Sequence, residues 1–208
     1  MKTDDVVKET YTKEELDILL KKPNIKVCTF AQYRTWVIIN FFMATGCRAS
    51  TLRNIKIEDI DMKNKEIIFK HAKNRRQHII PLADILQDVL KEYLIIRDGM
   101  PHDWLFCSRT GEKITKNCLT NSIITYNRRL GVERTGIHTF RHTFAKFWIL
   151  NNGDVFRLQK ILGHKNFEMT RMYVNMFGQD LKYKFDEYNP LSSFERKTSV
   201  SMNKFRNK

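Results

Sequence analysis

Cysteine is scarce and scattered in this sequence. Its four residues (Cys28, Cys47, Cys107 and Cys118) form no C-x-x-C pair, and no secretory leader precedes them. They read as reduced, mostly buried thiols of a cytosolic protein rather than as a disulfide framework. Long apolar runs are missing too. The most apolar stretch, Trp36 to Ala44, is far shorter than the roughly 20 residues a membrane helix needs, and Asn40 interrupts it. The six histidines show no paired spacing with carboxylates or cysteines, so no metal site and no cofactor are expected. Acids are in deficit: 23 Asp and Glu stand against 37 Lys and Arg, a formal net charge of +14. Such an excess favours a polyanionic partner, because each neutralised phosphate releases counterions.

The chain's 208 residues suffice for one good-sized core. Residues 1–11 are mostly polar and read as an arm or linker, and 191–208 as a basic tail, disordered when the protein is alone. Between them, 12–190 reads as one domain without internal repeats. Thr12 and Glu15 form a T-x-x-E capping box, with Tyr11 and Leu16 as its hydrophobic staple, opening a helix that Pro23 stops. A second helix is expected from Phe30 to Thr45, ended by Gly46. Ile57–Ile60, Glu66–Phe69 and His78–Ile80 read as three strands. Lys70 to Arg76, with Lys70, Lys73, Arg75 and Arg76 and no acid, reads as an exposed basic hairpin. Helical patterning then returns at about Leu82–Arg97, Lys116–Leu130, His138–Asn151, Val155–Leu162 and Phe167–Val174. Gly131, Gly153 and Gly163 stand at helix ends, and Asp154 is placed as an N-cap. The expected class is α+β: mainly helical, with a small three-stranded antiparallel sheet.

Four segments carry chemistry. In Thr45–Gly46–Cys47–Arg48 an arginine follows a helix-ending glycine, which a capped helix and a surface arginine would also explain. Lys73 sits on the hairpin ahead of Ile80–Pro81–Leu82, where a solvated lysine is ordinary. In His138–Thr139–Phe140–Arg141–His142–Thr143–Phe144–Ala145, His138 and Arg141 share a helical face and Phe140 and Phe144 another. His142 also shares a face with His138, so periodicity does not say which histidine enters a site. In Leu162–Gly163–His164, a histidine follows a helix end and Tyr173 comes nine residues later. A lone helical tyrosine is most often a core residue with its hydroxyl satisfied.

Taken in order and at these spacings, the four segments resemble the tyrosine recombinase (phage integrase) family. The family's pattern is T-G-x-R, a hairpin lysine, H-x-x-R-H-T-F-A, and L-G-H ahead of a tyrosine. The resemblance runs from about Thr12 to Val174. It departs at Thr51, where the family often has an acid, and in the absence of a DNA-clamping domain ahead of Tyr11, which makes a fragment of a larger integrase an open expectation.

The resemblance implies a fold, a reaction and a set of roles. Tyr173 would attack a scissile phosphate to give a 3′-phosphotyrosine and a 5′-hydroxyl, with neither metal nor ATP. Arg48 and Arg141 would hold the non-bridging oxygens, Lys73 would protonate the leaving oxygen, His138 would assist proton transfer near the tyrosine, and His164 would donate to the phosphate. Lys70, Arg75 and Arg76 are expected on DNA. The implied partners are double-stranded recombination sites and further recombinase subunits, a tetramer on DNA, in the cytoplasm at the nucleoid and not on a membrane. Type IB topoisomerase-like relaxation, or a DNA-binding module without catalysis, remain the alternatives. Met176, Phe177, Leu181, Tyr183 and Phe185 form an apolar series that packs either in cis or on a neighbouring subunit.

Overall fold

The computed structural model describes residues 9–70, 77–177, 187 and 189–193. The chain divides into two compact units, Met1–Phe177 and Gly178–Lys208. Of the second, Glu187 and residues 189–193 are described, with a short 3-10 turn at Pro190–Ser193. Leu181, Tyr183 and Phe185 lie outside the described residues.

The first unit is built around one helix. Helix α1 (Lys13–Leu19) begins at the expected capping box, Thr12 accepting from the Glu15 amide and the Glu15 carboxylate from the Thr12 amide. Helix α2 (Phe30–Thr45) is buried on nearly every side, which is what an all-round apolar helix requires. Gly46 closes it at φ 58°. A short helix α3 (Ala49–Leu52) follows.

The sheet has the order β1-β2-β3, both pairs antiparallel, with β1 at Ile60–Asp61, β2 at Glu66–Phe69 and β3 at His78–Pro81. The first strand is shorter than its sequence suggests, because Ile57–Asp59 is a 3-10 turn. The Asp59 carboxylate accepts the Lys56 amide at 2.8 Å, and the Ile57 and Glu58 amides donate to Asp103 and Pro101 carbonyls instead of a strand partner.

Helices α4 (Asp84–Arg97), α5 (Lys116–Arg129), α6 (Ile137–Leu150), α7 (Val155–Leu162) and α8 (Glu168–Phe177) complete the unit. Asp154 caps α7 as expected, accepting from the Arg157 amide at 2.7 Å. At the end of α6 the left-handed residue is Asn152, at φ 58°, not Gly153. Gly153 is small for another reason: a Cβ there would lie 2.3 Å from the Trp148 indole nitrogen.

Helix α2 packs against α4, α5 and α6, and the main core gathers around it. Tyr11 belongs to this core. It is fully buried, stacks on Phe140 at 4.4 Å, and accepts from Asn127 at its hydroxyl. A second, smaller cluster joins α6, α7 and α8 through Phe144, Ala145, Ile149, Leu158, Leu162 and Tyr173. Among the described residues no helix is long and apolar enough to cross a membrane.

Candidate active site

Where the helix ends meet, one side chain ties them together. Arg141, in the second turn of α6, is buried and donates Nη1–H to the Gly46 carbonyl and Nη2–H to the Leu162 carbonyl, each at 2.8 Å. Those carbonyls close α2 and α7, so a single guanidinium compensates the negative ends of two helices. Gly46 must be glycine twice over. Its φ is positive, and a Cβ would meet Phe144 at 2.5 Å and Leu162 at 2.7 Å. Burial, with the nearby Arg48 charge adding to it, lowers the Arg141 pKa to about 10, which leaves the group charged at neutral pH.

Arg48 occupies the N-cap position of α3 without capping it and is half-buried. It lines a cavity of about 400 Å³ together with His138, Arg141, His164 and Tyr173. Five predicted site residues, from the start of α3, from α6 and α8, and from the turn between α7 and α8, thus face one space. His138 is exposed, in the first turn of α6. His164 is buried, and its Nδ1 lies 2.8 Å from Thr170 Oγ1, which fixes the ring's orientation. The His164 and Tyr173 rings lie parallel within 6° at 6.2 Å between centroids.

Tyr173 is buried on α8, and its hydroxyl lies 2.7 Å from His142 Nδ1. Burial raises the phenol above its ordinary pKa of 10.0, against the opposing pull of the Arg141 and Arg48 charges. His142 also lines the cavity, with Glu168, Met169 and Met172. Sequence reasoning left His142 undecided against His138 and did not assign Thr170 to the site. The shared face of His138 and His142 was the available signal for the first; nothing marked Thr170.

Of the segment expected as a basic hairpin, Lys70 is described, as is His78 just beyond it. Lys73, Arg75 and Arg76 lie outside the described residues. Lys70 is not brought to the cavity: its ammonium meets Glu58 Oε1 at 2.8 Å and the buried Asp59 Oδ1 at 2.7 Å. At the other end, His78 pairs with Phe69 across the sheet and hydrogen-bonds to the Lys160 backbone at the end of α7. A Cβ on Gly163 would lie 3.2 Å from its ring, so the start of β3 lies against the Leu162–Gly163–His164 turn. Burial, aided by Arg141 and Arg48, lowers the His78 pKa despite that hydrogen bond. Among the described residues no cluster of His, Cys, Asp or Glu is arranged to hold a metal ion.

Residues 9–179 match the phage integrase family. The chain belongs to that family. It is 29% identical over 172 residues to tyrosine recombinase XerC of Thermodesulfovibrio yellowstonii, covering 78% of this chain and 57% of that protein. Among solved structures it resembles the XerH site-specific recombinase bound to its difH substrate, with TM-score 0.68 and 26% identity over 80% of this chain and 50% of that one. The catalytic domain of bacteriophage HP1 integrase shares the fold, with TM-score 0.61 at 23% identity over 89% and 97% of the two chains. The chain spans about three-fifths of the length of the curated relatives it matches.

Proposed function

We propose that this chain is the catalytic domain of a site-specific DNA recombinase, which cuts and rejoins duplex DNA through a 3′-phosphotyrosyl bond at Tyr173. What supports the reading is the convergence of Arg48, His138, Arg141, His164 and Tyr173 on one cavity. A buried, raised phenol is a poor nucleophile until its proton is taken. Two guanidiniums offer planar, paired donors to the non-bridging oxygens of a phosphate. Arg141 is held rigidly by its two carbonyls, so the remainder of its fork is oriented before DNA arrives.

Lys73 serves as the acid that protonates the 5′-oxygen. It lies in the segment between β2 and β3, and His78, at the start of β3, adjoins the Gly163 turn. Arg75 and Arg76 meet DNA phosphates, with Lys70 at the hairpin base. The phosphotyrosine conserves the energy of the broken bond, so a second 5′-hydroxyl reverses the step with no ATP and no metal. The partners are double-stranded recombination sites and further recombinase subunits, as a tetramer on DNA at the nucleoid in the cytoplasm. The outcome is integration or excision of a mobile element.

The test uses nicked suicide duplexes, in which the cleaved fragment diffuses away and traps the covalent complex. A denaturant-resistant adduct formed in chelator, and lost in Tyr173→Phe, is expected. DNA binding without any adduct would favour a binding module instead, and sequence-independent relaxation of supercoiled plasmid a topoisomerase.

A further inference from the structure

Two histidines on one face of α6, His138 and His142, line the cavity together with Tyr173. His138 is exposed at the cavity rim, and among the described residues no hydrogen bond joins it to the Tyr173 hydroxyl. One turn on, His142 Nδ1 lies 2.7 Å from that oxygen, with the two rings tilted at 44° and 5.7 Å apart. This is the separation at which a general base takes a proton directly. We propose that His142, not His138, receives the Tyr173 proton as the phosphotyrosyl bond forms. The proposal rests on the recombinase reading above and deepens it.

The geometry sorts the surrounding groups into different tasks. His164 has its Nδ1 committed to Thr170 and stacks beside the phenol ring rather than at its oxygen. Arg141 and Arg48 lower the cost of negative charge at the phenol but, as permanent cations, accept no proton. That leaves His142 as the acceptor in contact with the reacting atom. The step balances. The Oη–H proton passes to Nδ1, Oη bonds to phosphorus, the P–O5′ bond breaks, and the 5′-oxygen takes a proton from an acid, Lys73 in the reading above. In rejoining, the imidazolium returns its proton to the departing phenol. For Nδ1 to accept, the resting ring must carry its hydrogen on Nε2.

That tautomer is the first measurement. In ¹⁵N-histidine-labelled protein, the His142 signals should report a bare Nδ1 and a protonated Nε2. A protonated Nδ1 on a neutral ring would overturn the proposal, because the ring would then be donating to the phenol.

The second uses nicked duplexes recovered by covalent capture on the wild-type chain from a pool with randomised arms. Cleavage should fall on the order of 10²–10⁴-fold in His142→Ala. It should stay low in His142→Gln, whose amide can still hold the hydroxyl but cannot take its proton. With a 5′-bridging phosphorothiolate, whose thiolate leaves without an acid, both His142 variants should remain slow while Lys73→Ala recovers. Rates within about threefold of wild type in either His142 variant, or a His142→Gln defect that vanishes on the phosphorothiolate, overturn the assignment. Failure of the wild-type chain to capture any duplex sinks the recombinase reading itself, a different outcome from these.

Discussion

The Arg141 guanidinium donates to the Gly46 carbonyl at 2.8 Å across 95 positions of sequence, and the same fork reaches Leu162 at the same distance. One residue is therefore both a structural clasp on two helix ends and a donor facing the cavity. The two roles separate in Arg141→Lys, which keeps the charge but loses the fork. Leaving a buried carbonyl without its charged donor costs about 1–3 kcal/mol, to be read from urea denaturation. Strand cleavage should fall by on the order of 10²–10³-fold, the loss typical of one preorganised donor. Unchanged stability with lost cleavage would remove the clasp from the account.

Gly46→Ala tests the close approach without touching any charge. The methyl group would sit 2.5 Å from Phe144 in a left-handed backbone. A loss of about 1–3 kcal/mol is expected in equilibrium unfolding, from overpacking added to backbone strain. A variant as stable as wild type would mean that the α2 and α6 contact gives way easily.

Lys70 separates structure from DNA contact. Its ammonium is the charge beside the buried Asp59 carboxylate. Lys70→Met should cost about 1–2 kcal/mol, less than a fully buried pair because Lys70 itself is partly exposed. Asp59→Asn in the same chain should restore most of it, since the uncompensated charge is then gone. A Lys70→Met variant of full stability but weakened DNA affinity would assign the residue to the phosphate backbone alone.

Alkaline pH should unfold this protein early. Burial raises Cys47 from 9.0 to about 12, and Tyr33 and Tyr126 from 10.0 to about 12; Tyr11, Tyr93 and Tyr173 are also raised. Above pH 9 to 10 the unfolded chain releases these protons while the folded chain retains them. The unfolded state then binds fewer protons, so stability falls with pH. It should be whole below about pH 9 and lost progressively toward pH 12. Denaturant midpoints across that range, followed with tyrosinate absorbance, provide the check. A flat profile would contradict the burial of these groups.

Much of this was legible in the sequence, for reasons that differ by residue. Helix stops are local chemistry, so Gly46, Gly163 and the Thr12–Glu15 box were readable directly. The strand expected at Ile57–Ile60 gave way to a turn because its amides found loop carbonyls at Pro101 and Asp103, a tertiary choice that alternation does not encode. Gly153 looked like a helix terminator, yet the left-handed backbone fell on Asn152 and the glycine answers to Trp148. Tyr173 fits its ordinary reading, buried in an apolar cluster with its hydroxyl satisfied, and the partner of that hydroxyl is a histidine that lines the cavity. His138 and His142 were indistinguishable by periodicity because both sit on the same face. The position of α8 is what separates them, and that depends on contacts made far along the chain.

The most direct test of the central claim is to identify the amino acid that becomes joined to DNA. Wild-type protein trapped on a nicked duplex, digested and sequenced by tandem mass spectrometry, should carry the nucleotide on the peptide containing Tyr173, linked through a 3′-phosphate. A nucleotide on Tyr11, Tyr33, Tyr93, Tyr126 or any serine, or a 5′-phosphate linkage, would contradict the account.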